Sequence, residues 1–540
     1  MINKKRIIIF FVLVILIGAF YFVSPIITQK ESREKELTVA TPATPLFTEI
    51  PLDFIHNYKK NTYIFAGSAL IDVNGDGVDE IFIGGGQNQV DGLFRFENGQ
   101  FINIATQSGF ALPAVALAKD GGNAVAAGGA LSIDFDNDND VDLLVARLDG
   151  VYLYINNGGK FKEEKLDIVI EKDAIPLSLS ATDLNKDGLV DIYISTFKTP
   201  TKQRTIFNKI ENRSNNVMLL NKGNKVFEDI TKKSGLTYNQ NTFQVSFVDL
   251  NNDTWQDLVI APDTDKVVVY ENKKDGTFEA KTPLTDFGFW MGLAVGDIDD
   301  DGDQDLFFSN IGNTISVSLA RKDLLPEQKL DEKWALLRND GDFKFTNITK
   351  EKKLDDYEFG WGALFEDLNL DGLQDLLVVE NYAKWPIHKI KKLDGRVLLQ
   401  EVSGSFTPIT KVSGLVNPYY GTSPLTADFN KDGYPDVVFI NFSGPSKAYI
   451  NKGGNNTYLK VSLPDNASSL GVRVDLEKMD GTILSKQVIG GIGLLTDVSN
   501  ELVFGLGRDE IVKKVSIIWP ANGKVQVFEN VATKTRLEVK

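Results

Sequence analysis

One nine-residue pattern occurs seven times in this chain, and it limits the possible folds more than any other feature. The copies begin at Asp72, Asp134, Asp183, Asp249, Asp297, Asp367 and Asp428 and read DVNGDGVDE, DFDNDNDVD, DLNKDGLVD, DLNNDTWQD, DIDDDGDQD, DLNLDGLQD and DFNKDGYPD. Carboxylates or amides at the first, third, fifth and ninth places suit a hard cation such as Ca²⁺, which takes six to eight oxygens from a tightly curled loop. One such copy would be an ordinary Asx turn. Seven in register are a repeat. An EF-hand is excluded, because its loop ends in a bidentate Glu at position 12 and lies between helices. Here position 12 is Ile83, Val145, Ile194, Ile260, Phe308, Val378 and Phe439, and the flanks ("IFIGG", "DLLVA", "DIYIS", "DVVFI") read as buried strands.

The expected ligands are the first, third, fifth and ninth side chains with the backbone carbonyl of the seventh residue. In chain order these are Asp72, Asn74, Asp76, Val78 and Glu80; Asp134, Asp136, Asp138, Asp140 and Asp142; Asp183, Asn185, Asp187, Leu189 and Asp191; then Asp249, Asn251, Asp253, Trp255 and Asp257. The last three sets are Asp297, Asp299, Asp301, Asp303 and Asp305; Asp367, Asn369, Asp371, Leu373 and Asp375; and Asp428, Asn430, Asp432, Tyr434 and Asp436. The sixth place is expected to be left-handed, a conformation that Gly adopts freely and Asn tolerates. Asn139 fits, whereas the β-branched Thr254 makes the fourth loop strained or differently shaped.

Loop starts lie 62, 49, 66, 48, 70 and 61 residues apart, which suits a four-stranded sheet with its connections. After each loop comes a strand, an Asn/Gly turn and a phenylalanine, which often opens an F-x-x-I strand, as in "FINI", "FEDIT", "FTNIT" and "FTPIT". The seventh unit lacks that strand, and "FTEI" at Phe47–Ile50 supplies it from the other end of the chain. A strand so placed closes a ring and removes exposed edges. The expectation is an all-β chain: a seven-bladed β-propeller over residues 47–455 with calcium-binding loops, closed by an N-terminal strand, then a small β domain over 456–540. "GGIG" within that domain reads as a turn, since no helix pattern or Lys-Ser/Thr follows to make a phosphate loop.

The loops and the apolar strands after them resemble the FG-GAP/VCBS repeats of integrin-α-type propellers. "GVRVDLEKMDGTILSKQVIGGIGLLTDVSNELVFGLG" and "VSIIWPANGKVQVFENV" resemble the ASPIC/UnbV domain, which follows such repeats in the cartilage acidic protein family; its marks lie at Gly490–Gly493, Phe504–Gly507 and Trp519–Gly523. The resemblance implies a calcium-stabilised propeller outside the cytoplasm, with adhesion or carbohydrate association as the expected role.

Charge agrees with that reading. The formal net charge of −16 disfavours nucleic acid as a partner. Seven Ca²⁺ would add +14 and bring −16 to −2, so much of the acidity is accounted for by metal ligands. No cysteine is present, which excludes disulfides and thiol chemistry. Lys4, Lys5 and Arg6 precede an uncharged run of 21 residues, Ile7–Ile27, long enough to span a bilayer. We therefore expect a transmembrane signal-anchor over residues 1–28, a polar linker over 29–46, and the remainder extracytoplasmic, at the cell surface or in the periplasm. Cleavage of the segment, giving a secreted protein, is the alternative.

Catalytic signatures are sparse: His56 and His388 are the only histidines, and no hydrolase, zincin or Walker pattern occurs. His56 is expected to be packed or hydrogen-bonded. The third, fifth and sixth units carry long insertions in one connector, and two of these are basic. One holds Lys198, Lys202 and Arg204; the other holds Lys384, His388 and Lys389 with Tyr382 and Trp385. They form the expected ligand face, with an anionic polysaccharide or an envelope or extracellular protein as partner. A polysaccharide lyase or hydrolase and a structural role in an envelope assembly are the rival functions.

Overall fold

The computed structural model describes residues 36–57, 66–86, 89–110, 127–198, 213–312, 324–357, 359–381 and 393–539. Each of the seven loops joins the first and second strands of a sheet whose antiparallel strands follow in chain order, four in each of the first six sheets and three in the seventh. The first strands are Ser68–Ile71, Ala127–Ile133, Ala174–Thr182, Thr242–Val248, Trp290–Gly296, Ala363–Glu366 and Tyr420–Ala427. The seventh sheet takes its fourth strand from the N-terminal side: Phe47–Ile55 pairs with Pro445–Asn451, Phe47 opposite Asn451. The expected closing strand is therefore present and runs on to Ile55, with an irregularity after Pro51.

Burial grades across each sheet. First strands are buried almost throughout, while fourth strands such as Phe227–Asp229 and Phe345–Asn347 face solvent with their polar residues. Neighbouring sheets pack face to face. Ala69, Ile71 and Phe82 of the first sheet meet Leu143 and Val145 of the second, and Leu425, Val438 and Ile440 of the seventh meet Leu70, Ile81 and Ile83 of the first. Because both faces of each inner strand are covered, the strands read as continuous apolar runs rather than alternating ones. The phenylalanines opening the fourth strands, and the isoleucine three residues on (Ile104, Ile230, Ile348, Ile409), seal the outer part of each interface.

The described end of the expected polar linker, residues 36–46, is packed down. Leu37 donates its N–H to Pro408 O, Glu36 accepts the N–H of Lys411, and Ala43 O accepts from the Asn369 side chain. Backbone partners on the sixth sheet satisfy a stretch that composition alone marks as solvated. The expected transmembrane segment lies outside the described residues; among those described, no helix is long and apolar enough to cross a membrane.

The C-terminal region forms a three-stranded sheet centred on Thr457–Ser462 and a four-stranded sheet centred on Arg473–Glu477 and Ile511–Ile518, around their own core of Leu459, Val474, Phe504 and Val515. It sits against the motif loops. Gln487 exchanges hydrogen bonds with the backbone of Asp249, Asp134 N–H reaches Asp465 O, and Gly507 N–H reaches Leu370 O.

Its "GGIG", expected to be a turn, is instead held in isolated β-bridges at Gly490, Ile492 and Gly493, with the turn following at Leu494–Leu495, and the segment is buried among the first strands of the seven sheets. Gly490 O accepts from Ser180 Oγ at 2.7 Å, Gly491 O from Ser246 Oγ at 2.6 Å, and Gly493 pairs with Leu293. Thr496–Asp497 adds in parallel to Ser68–Ala69, and the Asp497 carboxylate accepts both N–H and Oγ–H of Ser132. A Cβ on Gly493 would press on Ser423 Oγ of the seventh sheet and lie near Ala363 O of the sixth. Gly491 has φ +87°, and a Cβ there would stand 2.2 Å from Leu179 O, so only glycine fits.

Candidate metal centres

One hydrogen-bond set recurs in all seven loops. The first carboxylate accepts the fifth residue's N–H through Oδ1 at 2.9–3.2 Å. Its Oδ2 accepts the sixth residue's N–H at 2.7–3.0 Å. The fifth carboxylate takes the seventh N–H at 2.9–3.0 Å. The ninth takes the second N–H at 2.9–3.1 Å. These bonds curl the loop around its own oxygens.

Curling also requires left-handed backbone. The sixth residue has φ between 71° and 98° in every loop, including Asn139 at 76° and Thr254 at 71°. Thr254 thus occupies the standard conformation under strain, and its N–H still bonds Asp249 at 2.7 Å. The fourth residue is left-handed too, with φ of 57–69°. That was not expected, because Gly, Asn, Lys, Asp and even Leu occupy the place. Leu370 is held there by burial beneath the C-terminal domain, where its backbone packs against Gly505.

The oxygens converge. In the second loop the carboxylates of Asp134, Asp136 and Asp138 lie within 4.8 Å of one another, as do those of Asp297, Asp299 and Asp301 in the fifth. In the other five loops Asn holds the third place and donates to the fifth carboxylate at 2.8–3.1 Å. The ninth carboxylates are buried. Desolvation, then the neighbouring loop carboxylates against backbone hydrogen bonds, raises Asp142 and Asp191 to about 7 and Asp305 and Asp436 to about 8. Burial and loop carboxylates likewise raise the first-position Asp297 and Asp367 to about 8. Buried like charges of this kind are expensive unless a cation compensates them. An all-oxygen donor set in a curled loop fits a hard divalent cation, with the side chains of places one, three, five and nine and the seventh carbonyl as its holders.

Sequence reasoning overlooked the residue that braces the ninth place. At the end of the third strand of sheets two to seven stand Asn156, Asn221, Asn272, Asn339, Gln400 and Asn451. Each gives its backbone N–H to the second oxygen of the ninth carboxylate at 2.7–2.9 Å. Four also reach the loop of the preceding sheet: Asn156 to Val73 O, Asn339 to Leu250 O, Gln400 to Ile298 O and Asn451 to Leu368 O. The first, fourth, fifth and sixth loops are thereby tied to the next sheet. The signal is the Asn that recurs at the end of five of these apolar strands ("YINNGG", "LLNKG", "YINKGG"), where the sequence alone presents it as a turn residue. In the first sheet the longer Glu80 is met instead by Arg95 Nε at 2.5 Å.

The remaining candidates divide sharply. His56 is buried, with Nδ1 3.2 Å from Gly84 O and its ring against Phe442. Desolvation lowers its pKa, so it is a packed neutral imidazole. Lys198 is engaged by Glu171 and offers no spare charge. Lys202, Arg204, Tyr382, Lys384, Trp385, His388 and Lys389 lie outside the described residues.

These features define the class: a chain of FG-GAP-like repeats carrying a C-terminal ASPIC/UnbV domain. The FG-GAP-like repeat family matches residues 134–194 and 249–308, and the ASPIC and UnbV family matches 463–540. The chain is similar to cartilage acidic protein 1 of Homo sapiens, 22% identical over 527 residues, covering 91% of this chain and 74% of that protein. The Mus musculus protein is 23% identical over 528 residues, covering 91% and 76%. Among solved structures, BBS1N in complex with ARL6DN, soaked with lead, is 10% identical, with a TM-score of 0.42, over 76% of this chain and 98% of that one.

Proposed function

We propose that the seven sheets are the blades of a closed β-propeller outside the cytoplasm, that its loops hold up to seven Ca²⁺, and that the calcium-stiffened ring presents a recognition face. The observation that carries this reading is the identical hydrogen-bond set in all seven loops, Thr254 included. A fold does not repeat a strained, acid-lined turn seven times without a common load for it. The N-terminal apolar run tethers the ring to a membrane, and millimolar extracellular calcium suits loops of this kind.

The recognition face is the one opposite the calcium loops and the C-terminal domain. Strand direction supports this: Asp191–Lys198 and Asp375–Val378 run from the calcium loops to the other side, and their antiparallel partners Val217–Asn221 and Arg396–Gln400 return from it, so both basic insertions connect strand ends on the far side. The ligand is an anionic polysaccharide, attracted by the lysines and stacked on Tyr382 and Trp385. A glycan array probed with the full chain in detergent, with and without calcium, tests it. Acidic glycans retained at low salt by the wild type, and lost when Lys384, Lys389, Lys391 and Lys392 become Ser at unchanged melting temperature, support the reading. A wild type indifferent to every anionic glycan refutes it.

A further inference from the structure

The seven loops are alike in backbone but not in the charges that approach them. In the seventh, Asp428 receives a buried ammonium from the C-terminal domain. Lys460 lies on the central strand Thr457–Ser462, its side chain 11% exposed, with Nζ 2.8 Å from Asp428 Oδ2, whose own side chain is 4% exposed. Lys460 also meets Glu501 at 2.9 Å, and Glu501 is in turn held by Arg536 Nε at 2.5 Å. Among the described residues no other first-position carboxylate has a cation within 4.0 Å. The contacts at other loops are to the third or fifth place and come from more exposed side chains: Lys274 to Asp253 at 3.1 Å, Lys431 to Asp76 at 3.9 Å and Arg338 to Asp299 at 3.9 Å.

From this geometry we propose that Lys460 makes the seventh loop the weakest calcium site and couples its filling to the seating of the C-terminal domain. The inference rests on the calcium reading above. Asp428 Oδ2 already accepts Gly433 N–H at 2.7 Å as well as the ammonium, and Oδ1 accepts Asp432 N–H at 3.0 Å. Much of this carboxylate's charge is therefore balanced before any metal arrives. A fixed positive charge beside a ligand oxygen repels a divalent ion, and in this buried position water and salt screen it little. The coupling is reciprocal: calcium in the seventh loop weakens the hold of Asp428 on Lys460, and an undocked C-terminal domain leaves a tighter site.

The test is a calcium titration of the full chain in detergent, with a competing chelator as indicator and bound metal counted by elemental analysis. Wild type should show one site about tenfold weaker than the rest, and Asp432→Asn, which removes a seventh-loop ligand, should delete that weak step alone. Lys460→Met should tighten the weak step about tenfold. Glu501→Gln, which frees more of the lysine's charge toward Asp428, should weaken it further and keeps the test open if Lys460→Met fails to fold. A weak step that survives Asp432→Asn, or one that Lys460→Met leaves unchanged or weaker, overturns the proposal. A wild type that binds no calcium at any loop refutes the underlying metal reading instead.

Discussion

Removing calcium should reverse the pH dependence of stability, and the buried ninth-position carboxylates say by how much. Without metal, burial raises Asp142 and Asp191 to about 7 and Asp305 and Asp436 to about 8, from an unfolded value near 4. The folded chain then binds more protons than the unfolded one between these limits, so stability falls as pH rises from about 4 to about 8. When fully expressed, this corresponds to about 4 kcal/mol for each of Asp142 and Asp191 and about 5 kcal/mol for each of Asp305 and Asp436. Four such groups would together cost more than the 5–15 kcal/mol that holds an ordinary domain together, so metal-free loops must open rather than carry the full cost. With calcium bound the same carboxylates are held ionised, and stability should instead be lost as acid protonates them. Melting curves at pH 5, 6, 7 and 8, in EDTA and in 5 mM calcium, measure both slopes. In EDTA the midpoint should drop by roughly ten degrees or more between pH 5 and pH 8, after the several-kcal/mol loss that survives loop opening. In calcium it should hold steady or rise over the same interval. A metal-free midpoint that is flat or rises with pH, with metal analysis confirming depletion, would refute the account of these carboxylates as calcium ligands.

Three substitutions probe the framework around the loops. Thr254→Gly should raise the stability of the calcium-loaded protein by about 1 kcal/mol in thermal or denaturant melts, because it relieves a β-branched residue at φ 71°; equal or lower stability would mean that the threonine is not strained. Gly491→Ala should destabilise by at least about 2 kcal/mol and expose the junction between the C-terminal domain and the first strands to limited proteolysis, since its Cβ meets Leu179 O. Asn339→Ala strips the side-chain donor shared by Leu250 O and Gln304 O, and should cost about 1–3 kcal/mol while weakening calcium binding in the fourth and fifth loops; unchanged calcium affinity there would separate the brace from the metal sites.

What the sequence made legible was local and periodic. The seven loops, the left-handed sixth place and the order of strands within each sheet follow from residues a few positions apart. The closing strand Phe47–Ile55 is a long-range pairing, yet it could be read because the repeat left a gap of known type in its last unit. The fourth loop position escaped notice because its left-handed backbone is set by the curl of the loop as a whole; Leu370 adopts φ 58° although its side chain argues against it. The packing of residues 36–46 escaped notice for a related reason, since their partners lie hundreds of positions away, Pro408 O for Leu37 N–H and Lys452 N–H for Leu46 O.

The buried glycine-rich segment and Lys460 belong to another category, in which the partner lies in a different domain and no repeat announces it. Residues 490–497 read as a glycine-rich turn because nothing local distinguishes a turn in solvent from a buried segment whose N–H and C=O groups are satisfied by Ser68, Ser180, Ser246 and Leu293. Those first strands do carry a signal: Ser68, Ser132, Ser180 and Ser246 put hydroxyls on buried strands, and each of the four bonds a residue between 490 and 497. A buried hydroxyl needs a partner, and a set of them on the innermost strands of successive sheets implies a polar chain running between them. Mutating those serines together to alanine should therefore release the C-terminal domain without unfolding the individual sheets, read as new protease cleavage after residue 455 with the strand signal in circular dichroism retained. Cleavage confined to wild-type positions would show that apolar contacts at Leu494 and Leu495, rather than the hydroxyls, hold the two parts together.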